Sequence, residues 1–136
     1  MGFRIIDDLT SDVMFEADGK SLRELFESAA EALMSIICDI GSVEPKKSLD
    51  VSIRGSGREE LMMSWLQELI ALVDTEGMFF SKFELQEIDE KHIRARVSGE
   101  KATPAKGGTV VKAVTYHKFR LARSNSGYIM TATLDI

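Results

Sequence analysis

The chain has 136 residues, with 22 acidic and 17 basic side chains and a formal net charge of −5 at pH 7. This length suits one domain, expected to cover residues 1–136, and is too short for two separate cores. The acidic balance argues against a protein that grips nucleic acid phosphates over a broad face. Because the lone Cys38 cannot form an internal disulfide and no apolar run suggests a signal peptide or a membrane span, we expect a soluble cytoplasmic protein.

The first predicted elements are a strand and a helix. Val13, Phe15 and Ala17 place apolar side chains at every second position, which is the period of a half-buried strand. Apolar side chains then recur at helical spacing over residues 22–37. Ser21 followed by Glu24 forms a capping-box pattern at the start of this helix. Gly41 follows the last apolar position and is expected to help end the helix.

A second helix is predicted over the apolar stripe of residues 61–73. Ser56 together with Glu59 has the pattern of its N-terminal cap, and Gly77 has the pattern of its stop. The apolar stripes of both helices are wide enough to pack against a sheet. Their large side chains, Trp65 among them, are therefore interpreted as core residues with no separate function.

The remaining chain alternates with period two and predicts several further strands. A hairpin is expected at 83–85 and 93–97, with Asp89 and Glu90 in its turn, and a second at 110–119 and 128–134. A short strand is expected at 51–53, and loops at 39–48 and 102–108. Two helices packed on a mostly antiparallel sheet make an α+β fold.

Candidate metal ligands are carboxylates, because the chain has no zinc-type spacing of cysteine and histidine. Any ion held this way would be a hard cation such as calcium, magnesium or manganese. Asp135 lies beside the carboxylate of Ile136 at the end of the chain, and like charges so placed repel unless a cation joins them. The alternatives remain that Asp12 caps a turn and that Asp135 is the solvated end of a strand.

Several short stretches, spread in order over nearly the whole chain, form a recognisable set. They are Leu9-Thr10-Ser11-Asp12, Ser21-Leu22-Arg23-Glu24-Leu25-Phe26, Trp65-Leu66-Gln67-Glu68-Leu69, Asp74-Thr75-Glu76-Gly77 with Phe80 shortly after, Gly99-Glu100, Val111-Lys112-Ala113-Val114-Thr115-Tyr116-His117 and Leu134-Asp135-Ile136. Together they resemble the archease family. The lysine-to-histidine run and the aspartate-isoleucine terminus are the most specific of these stretches.

The resemblance implies a small α+β protein that assists the GTP-dependent RNA ligase of tRNA splicing. Such a protein helps the ligase to become guanylylated and to turn over repeatedly, so that it would contact RNA only indirectly. The resemblance also implies a metal site formed by Asp12, Asp135 and the carboxylate of Ile136. Calcium is the ion expected in vitro, with magnesium or manganese as alternatives in the cell.

The resemblance also leads to an expected partner surface, and it contains one departure. Glu100, Lys112 and His117 are candidates for the surface that meets the ligase. Leu9 stands where the family usually has histidine, and leucine can neither bind a metal nor titrate. Any role of that imidazole is therefore in doubt, whereas the carboxylate site is unaffected.

Two other functions remain as alternatives to a non-enzymatic activator. One is a small metal-dependent hydrolase of phosphoryl bonds, which would turn over substrate without any partner. The other is a chaperone-like interaction module, which would need no ion. Metal binding and turnover by the isolated protein distinguish the three.

Overall fold

Seven strands and two helices make up the computed structural model, which describes residues 2–8 and 11–136. Two short 3₁₀ turns, Ile40–Ser42 and Pro104–Lys106, lie within the predicted loops. The elements in chain order are β1 (Gly2–Asp8), β2 (Asp12–Gly19), α1 (Leu22–Ile37), β3 (Lys47–Arg54), α2 (Arg58–Glu76), β4 (Met78–Ile88), β5 (His92–Lys101), β6 (Ala113–Ser124) and β7 (Gly127–Asp135). The α+β prediction is confirmed.

The strands form two antiparallel sheets where the sequence had suggested one. The first sheet has the order β1-β2-β7-β6, and the second has the order β3-β5-β4. Strand β1 was not predicted, although it pairs with most of β2. Its register shifts between Ile5 and Asp7, so the alternation expected of a strand is broken there.

Both helices and the inner faces of both sheets share one hydrophobic core. Helix α1 packs against β2 of the first sheet and β4 of the second, and α2 packs against β3, β4 and β6. Trp65 of α2 is fully buried, and its indole Nε1–H donates to the carbonyl of Phe26 in α1 at 3.0 Å. The apolar stripes read from the sequence are therefore core, as predicted.

Helix α1 begins as predicted but ends differently. The Ser21 hydroxyl accepts from the backbone N–H of Glu24 at 3.2 Å, which confirms the cap. The helix ends at Ile37, before Gly41, and Cys38 is its extended C-cap. Instead of a glycine stop, backbone N–H groups of residues 108 and 109 bind the carbonyls of Ile37 and Ile36.

Helix α2 ends as predicted but begins differently. Gly77 adopts the left-handed conformation of a C-terminal stop. The N-cap is Gly57, not Ser56, and it has a φ of 117° that favours glycine. Its N–H is bound by the carbonyl of Glu90 in the β4–β5 turn, which sets this conformation. The Ser56 hydroxyl instead donates to the Glu60 carboxylate at 2.8 Å.

The segment of residues 107–112 connects the second sheet to the first. It was predicted to enter a strand at residue 110, but β6 begins only at Ala113. The backbone of Gly108 and Thr109 is bound to the end of α1, and Val110 is 78% exposed. The N–H of Lys112 then donates to the carbonyl of Asp135 at 2.8 Å. Tertiary contacts with α1 thus replace the strand that local alternation predicted.

Candidate metal centre and the surface beside it

Asp12 and Asp135 are direct cross-strand partners, although they lie at opposite ends of the chain. The N–H of Ile136 donates to the carbonyl of Ser11 at 3.2 Å. This bond makes residues 11 and 136 a hydrogen-bonded pair, so that Asp12 and Asp135 form the adjacent non-hydrogen-bonded pair. In such a pair the Cα atoms are about 4.5 Å apart and both side chains lie on the same face.

The face that carries the two aspartates is the outer one. Val13 and Phe15 of β2 and Leu134 of β7 are buried in the core, and the residues between them point the other way. Asp12 is half-buried and Asp135 is exposed. Among the described residues, neither carboxylate has a hydrogen-bond or salt-bridge partner. Two adjacent carboxylates repel each other, and a cation bound between them would offset this repulsion.

The donors at this position suit a hard divalent cation. The described residues hold no group of three or more His, Cys, Asp or Glu placed to bind a metal ion. The register brings together two of the predicted ligands, the side chains of Asp12 and Asp135, and the role of Ile136 stays a prediction. All of these donors are oxygen, as calcium, magnesium and manganese prefer. Leu9, where the family usually has histidine, lies outside the described residues.

Lys112 reaches this centre through its backbone. Its N–H is bound to the Asp135 carbonyl, and its side chain is exposed. Gln67 of α2 supports the start of β6 beside it, because its Oε1 accepts from the N–H of Val114 at 3.2 Å. The stretch around Trp65 and Gln67 therefore has two roles, one in the core and one at the edge of the first sheet.

His117 lies in a bulge of β6, a feature that the sequence did not predict. Strand β6 pairs with β7 at Thr115 and again at Arg120, which face Thr133 and Thr131. Residues 116–119 therefore stand opposite one residue of β7. Lys112 precedes the strand, which begins at Ala113, and His117 lies in the bulge. The bulge depends on the Thr131 and Thr133 hydroxyls of the neighbouring strand, which no local pattern in β6 reveals.

Glu100 belongs to a different part of the molecule. Its side chain is 13% exposed and accepts hydrogen bonds from the backbone N–H of Glu44 at 2.5 Å and from Lys106 Nζ at 2.9 Å. The N–H of Glu44 and then the Lys106 ammonium hold the pKa of the Glu100 carboxyl below its usual range. Glu100 thus joins the loop after α1 to the loop after β5, a role that the sequence did not predict.

Gly99 allows Glu100 to take this position. A Cβ atom on Gly99 would overlap the carbonyl oxygen of Phe79 in β4. Only glycine permits so close an approach of the two backbones. The Gly99-Glu100 motif is therefore explained by packing and by an internal ion pair.

Cys38 shows none of the chemistry of a reactive thiol. It is buried, and its Sγ donates to the carbonyl of Met34 at 3.2 Å. Burial, and secondarily the nearby charge of Asp39, raise the pKa of the Cys38 thiol to about 11. At neutral pH the thiol is therefore protonated.

Comparison with known proteins matches the chain to one family. The model of the archease protein family matches residues 3–136. A protein archease from Sulfurisphaera tokodaii is 40% identical over 131 residues, covering 93% of this chain and 94% of the relative. A protein archease from Archaeoglobus fulgidus is 34% identical over 140 residues and covers 100% of both chains. This chain belongs to the archease family.

Solved structures share the fold of this archease. The solution structure of Methanobacterium thermoautotrophicum protein 1598 superposes with a TM-score of 0.81 at 31% identity, covering 99% of both chains. The crystal structure of a Thermotoga maritima archease, described as a possible chaperone, superposes with a TM-score of 0.64. At 18% identity, over 97% of this chain and 94% of the other, the second likeness concerns the fold alone.

Neither α1 nor α2 combines the length and the apolar character of a membrane-spanning helix, within the part of the chain that the structure describes. Helix α2 is the longer, at 19 residues. Acidic residues interrupt its sequence, including Glu59 and Glu60 in the first turn.

Proposed function

We propose that this archease is a non-enzymatic accessory protein that activates a GTP-dependent RNA ligase of tRNA splicing. It would promote guanylylation of the ligase and its repeated turnover, in the cytoplasm. Family membership supports the class of partner. The observation that carries the proposal is the register pair of Asp12 and Asp135, which brings together on the outer face of the first sheet two carboxylates that have no partner among the described residues.

Asp12, Asp135 and the Ile136 carboxylate would hold one divalent ion. When bound, such an ion supplies positive charge that offsets the carboxylates and can attract nucleotide phosphates. Calcium is the ion proposed for binding in vitro, with magnesium or manganese in the cell. Lys112, whose backbone is bound to Asp135, and His117 in the bulge of β6 would belong to the surface that faces the ligase.

The test is multiple-turnover RNA ligation by the partner ligase, with and without this protein, in magnesium, manganese and calcium. The wild-type protein is expected to raise the number of turnovers. Asp12→Asn and Asp135→Asn are expected to lose most of that stimulation, because each removes a charged ligand. Asp50→Asn is the matched control, since Asp50 is an exposed carboxylate on the second sheet paired with Arg96 at 3.3 Å.

The same assay distinguishes the alternative functions. Turnover of a phosphoryl substrate by the protein alone would indicate a hydrolase. Stimulation that persists in a chelator and in Asp12→Asn would indicate an interaction module without an ion. A tag added after Ile136 is expected to impair stimulation more than a tag at the N-terminus, because it moves the proposed terminal ligand. Equal stimulation by the two tagged proteins would remove Ile136 from the site.

A further inference from the structure

Positive charge is segregated in one stretch of this acidic chain. Between residues 101 and 134 there are six of the 17 lysine and arginine residues and no aspartate or glutamate. Such asymmetry is typical of a chain with a local site for anions, even where the net charge is negative. The six residues are Lys101, Lys106, Lys112, Lys118, Arg120 and Arg123.

The centre of this stretch is the bulge at residues 116–119, which is held in one shape by threonines. The Thr133 hydroxyl donates to the carbonyl of His117 at 2.9 Å, and the Thr131 hydroxyl donates to the carbonyl of Lys118 at 3.0 Å. Lys118 has a φ of 57°, which is uncommon for a residue with a side chain. The bulge is therefore pinned to the outer face of the first sheet, two residues along β7 from Asp135.

The bulge presents an aromatic ring and cations to solvent. Tyr116 is 67% exposed, and its ring meets that of Phe119 edge-on, with centroids 6.0 Å apart. His117, Lys118 and Arg120 are also exposed. In the described part of the chain, neither Lys118 nor Arg120 forms a salt bridge. The carbonyls of residues 117 and 118 and the N–H of His117 already have hydrogen-bond partners, so the donors left for an anionic ligand are the side chains of Lys118 and Arg120.

The aspartate pair is too distant from Arg120 to cancel its charge. Arg120 pairs with Thr131, which is four residues along β7 from Asp135. At ~3.4 Å per residue this is about 14 Å, more than the Debye length of ~8 Å at physiological ionic strength. Glu16 lies in the same row of the sheet, but it is bound to Arg4 at 3.2 Å. A phosphate bound at Arg120 therefore meets little repulsion from the aspartate pair, whereas the His117 end of the bulge lies closer to Asp135.

We propose that residues 116–120 form a binding site for one or two nucleotides of a single-stranded nucleic acid. The Tyr116 ring stacks on a base, while Lys118 and Arg120 bind the flanking phosphates. The exposed ring favours a nucleic acid over an acidic protein segment, which has carboxylates but no base to stack. This direct contact goes beyond the expectation that RNA is reached only through the ligase, and it does not depend on ligase activation.

Fluorescence anisotropy with a labelled adenine pentamer tests this site on the isolated protein at low salt. Tyr116→Ala is expected to weaken binding at least ~5-fold through loss of stacking, while Tyr116→Phe binds like wild type. Lys118→Ala and Arg120→Ala should each reduce the slope of log K against log salt by about 0.7. Arg94→Ala is the matched control, because Arg94 is an exposed arginine of the second sheet, and it should bind like wild type.

Further measurements separate the effects of the bulge's shape and of the nucleic acid's sugar from the effect of charge. Thr131→Val keeps the charge but releases the Lys118 carbonyl, so it should weaken binding. Comparing an RNA pentamer with a DNA pentamer shows which of the two kinds of single strand the site prefers. A duplex hairpin, whose bases are paired, should bind more weakly than either pentamer. Absence of binding to both pentamers, or wild-type affinity in Tyr116→Ala, would overturn the proposal.

An acidic peptide provides the remaining comparison. Equal binding of an aspartate-rich peptide, insensitive to Tyr116→Ala, would identify the bulge as a contact for acidic proteins and would also overturn the proposal. The ligase assay with Asp12→Asn is independent of this measurement. Failure of RNA binding therefore leaves the activator function standing, and failure of ligase stimulation leaves the RNA site standing.

Discussion

Glu100 and the aspartate pair show two different uses of carboxylates in one small protein. Glu100 is almost enclosed, and its charge is offset by the Glu44 N–H and the Lys106 ammonium. Asp12 and Asp135 lie side by side on an outer face, where the strand register makes each the direct neighbour of the other's negative charge. A carboxylate that is satisfied internally stabilises the fold, whereas two like charges held side by side repel each other, and the proposed cation would offset that repulsion.

The core sets the scale against which both kinds of carboxylate are compared. Leu66→Ala is expected to lower the free energy of unfolding by ~2–5 kcal/mol, because Leu66 is fully buried between the helices and sheets. Chemical denaturation of the metal-free protein measures this value. A loss below about 1 kcal/mol would mean that the core repacks around the deleted side chain. A Trp65 variant would then have to serve as the reference for a core mutation.

Gly99→Ala tests how far the Glu100 network depends on backbone packing. The new Cβ would overlap the Phe79 carbonyl, so β4 and β5 must move apart, at a cost of ~1–3 kcal/mol. Thermal melts of the metal-free protein provide the measurement. Gly41→Ala is the control, since the atom nearest to its added Cβ is a side-chain oxygen of Asp39 at 3.9 Å. Equal melting of the two variants would show that the close approach is not required.

Glu100→Gln should lower the Tm by less than either of these changes, and in a pH-dependent way. The pKa of Glu100 is lowered by folding, so its charge stabilises the fold fully above its ordinary pKa of 4.5. This contribution is lost as the pH falls through the lowered folded-state pKa. Melts of both proteins from pH 7 to pH 3 should therefore differ most near neutrality and converge in acid. A constant difference at every pH would assign the effect to shape.

Asp12→Asn should have the smallest effect on stability and a large effect on function. Removing one of two like charges in a cross-strand pair is expected to leave the metal-free fold unchanged or up to ~1 kcal/mol more stable. Calorimetric titration with calcium and manganese should show one site in the wild type and none in the variant. If Asp12→Asn unfolds the metal-free protein as easily as Leu66→Ala does, Asp12 is structural and the metal site is wrong.

The sequence by itself determined both helices, most of the strands and the family, but not β1, the start of β6 or the N-cap of α2. Apolar periodicity located both helices, Ser21 marked the start of α1, and Gly77 marked the end of α2, because each of these signals acts within a few residues. The hairpins of β4 with β5 and of β6 with β7 followed from alternation with a turn between. The motifs identified the archease family, and with it the proposed role of Asp12 and Asp135.

Only the tertiary structure decided which distant residues become neighbours. The register that pairs Asp12 with Asp135 joins the two ends of the chain, and no local pattern encodes a pairing over that separation. The bulge at residues 116–119 depends on threonines of the neighbouring strand. The hydrogen bonds of Glu100 to Glu44 and Lys106 depend on two loops that meet only after folding. Helix signals are local because helical hydrogen bonds are local, whereas sheet register and ion pairs are set by the packing of the whole chain.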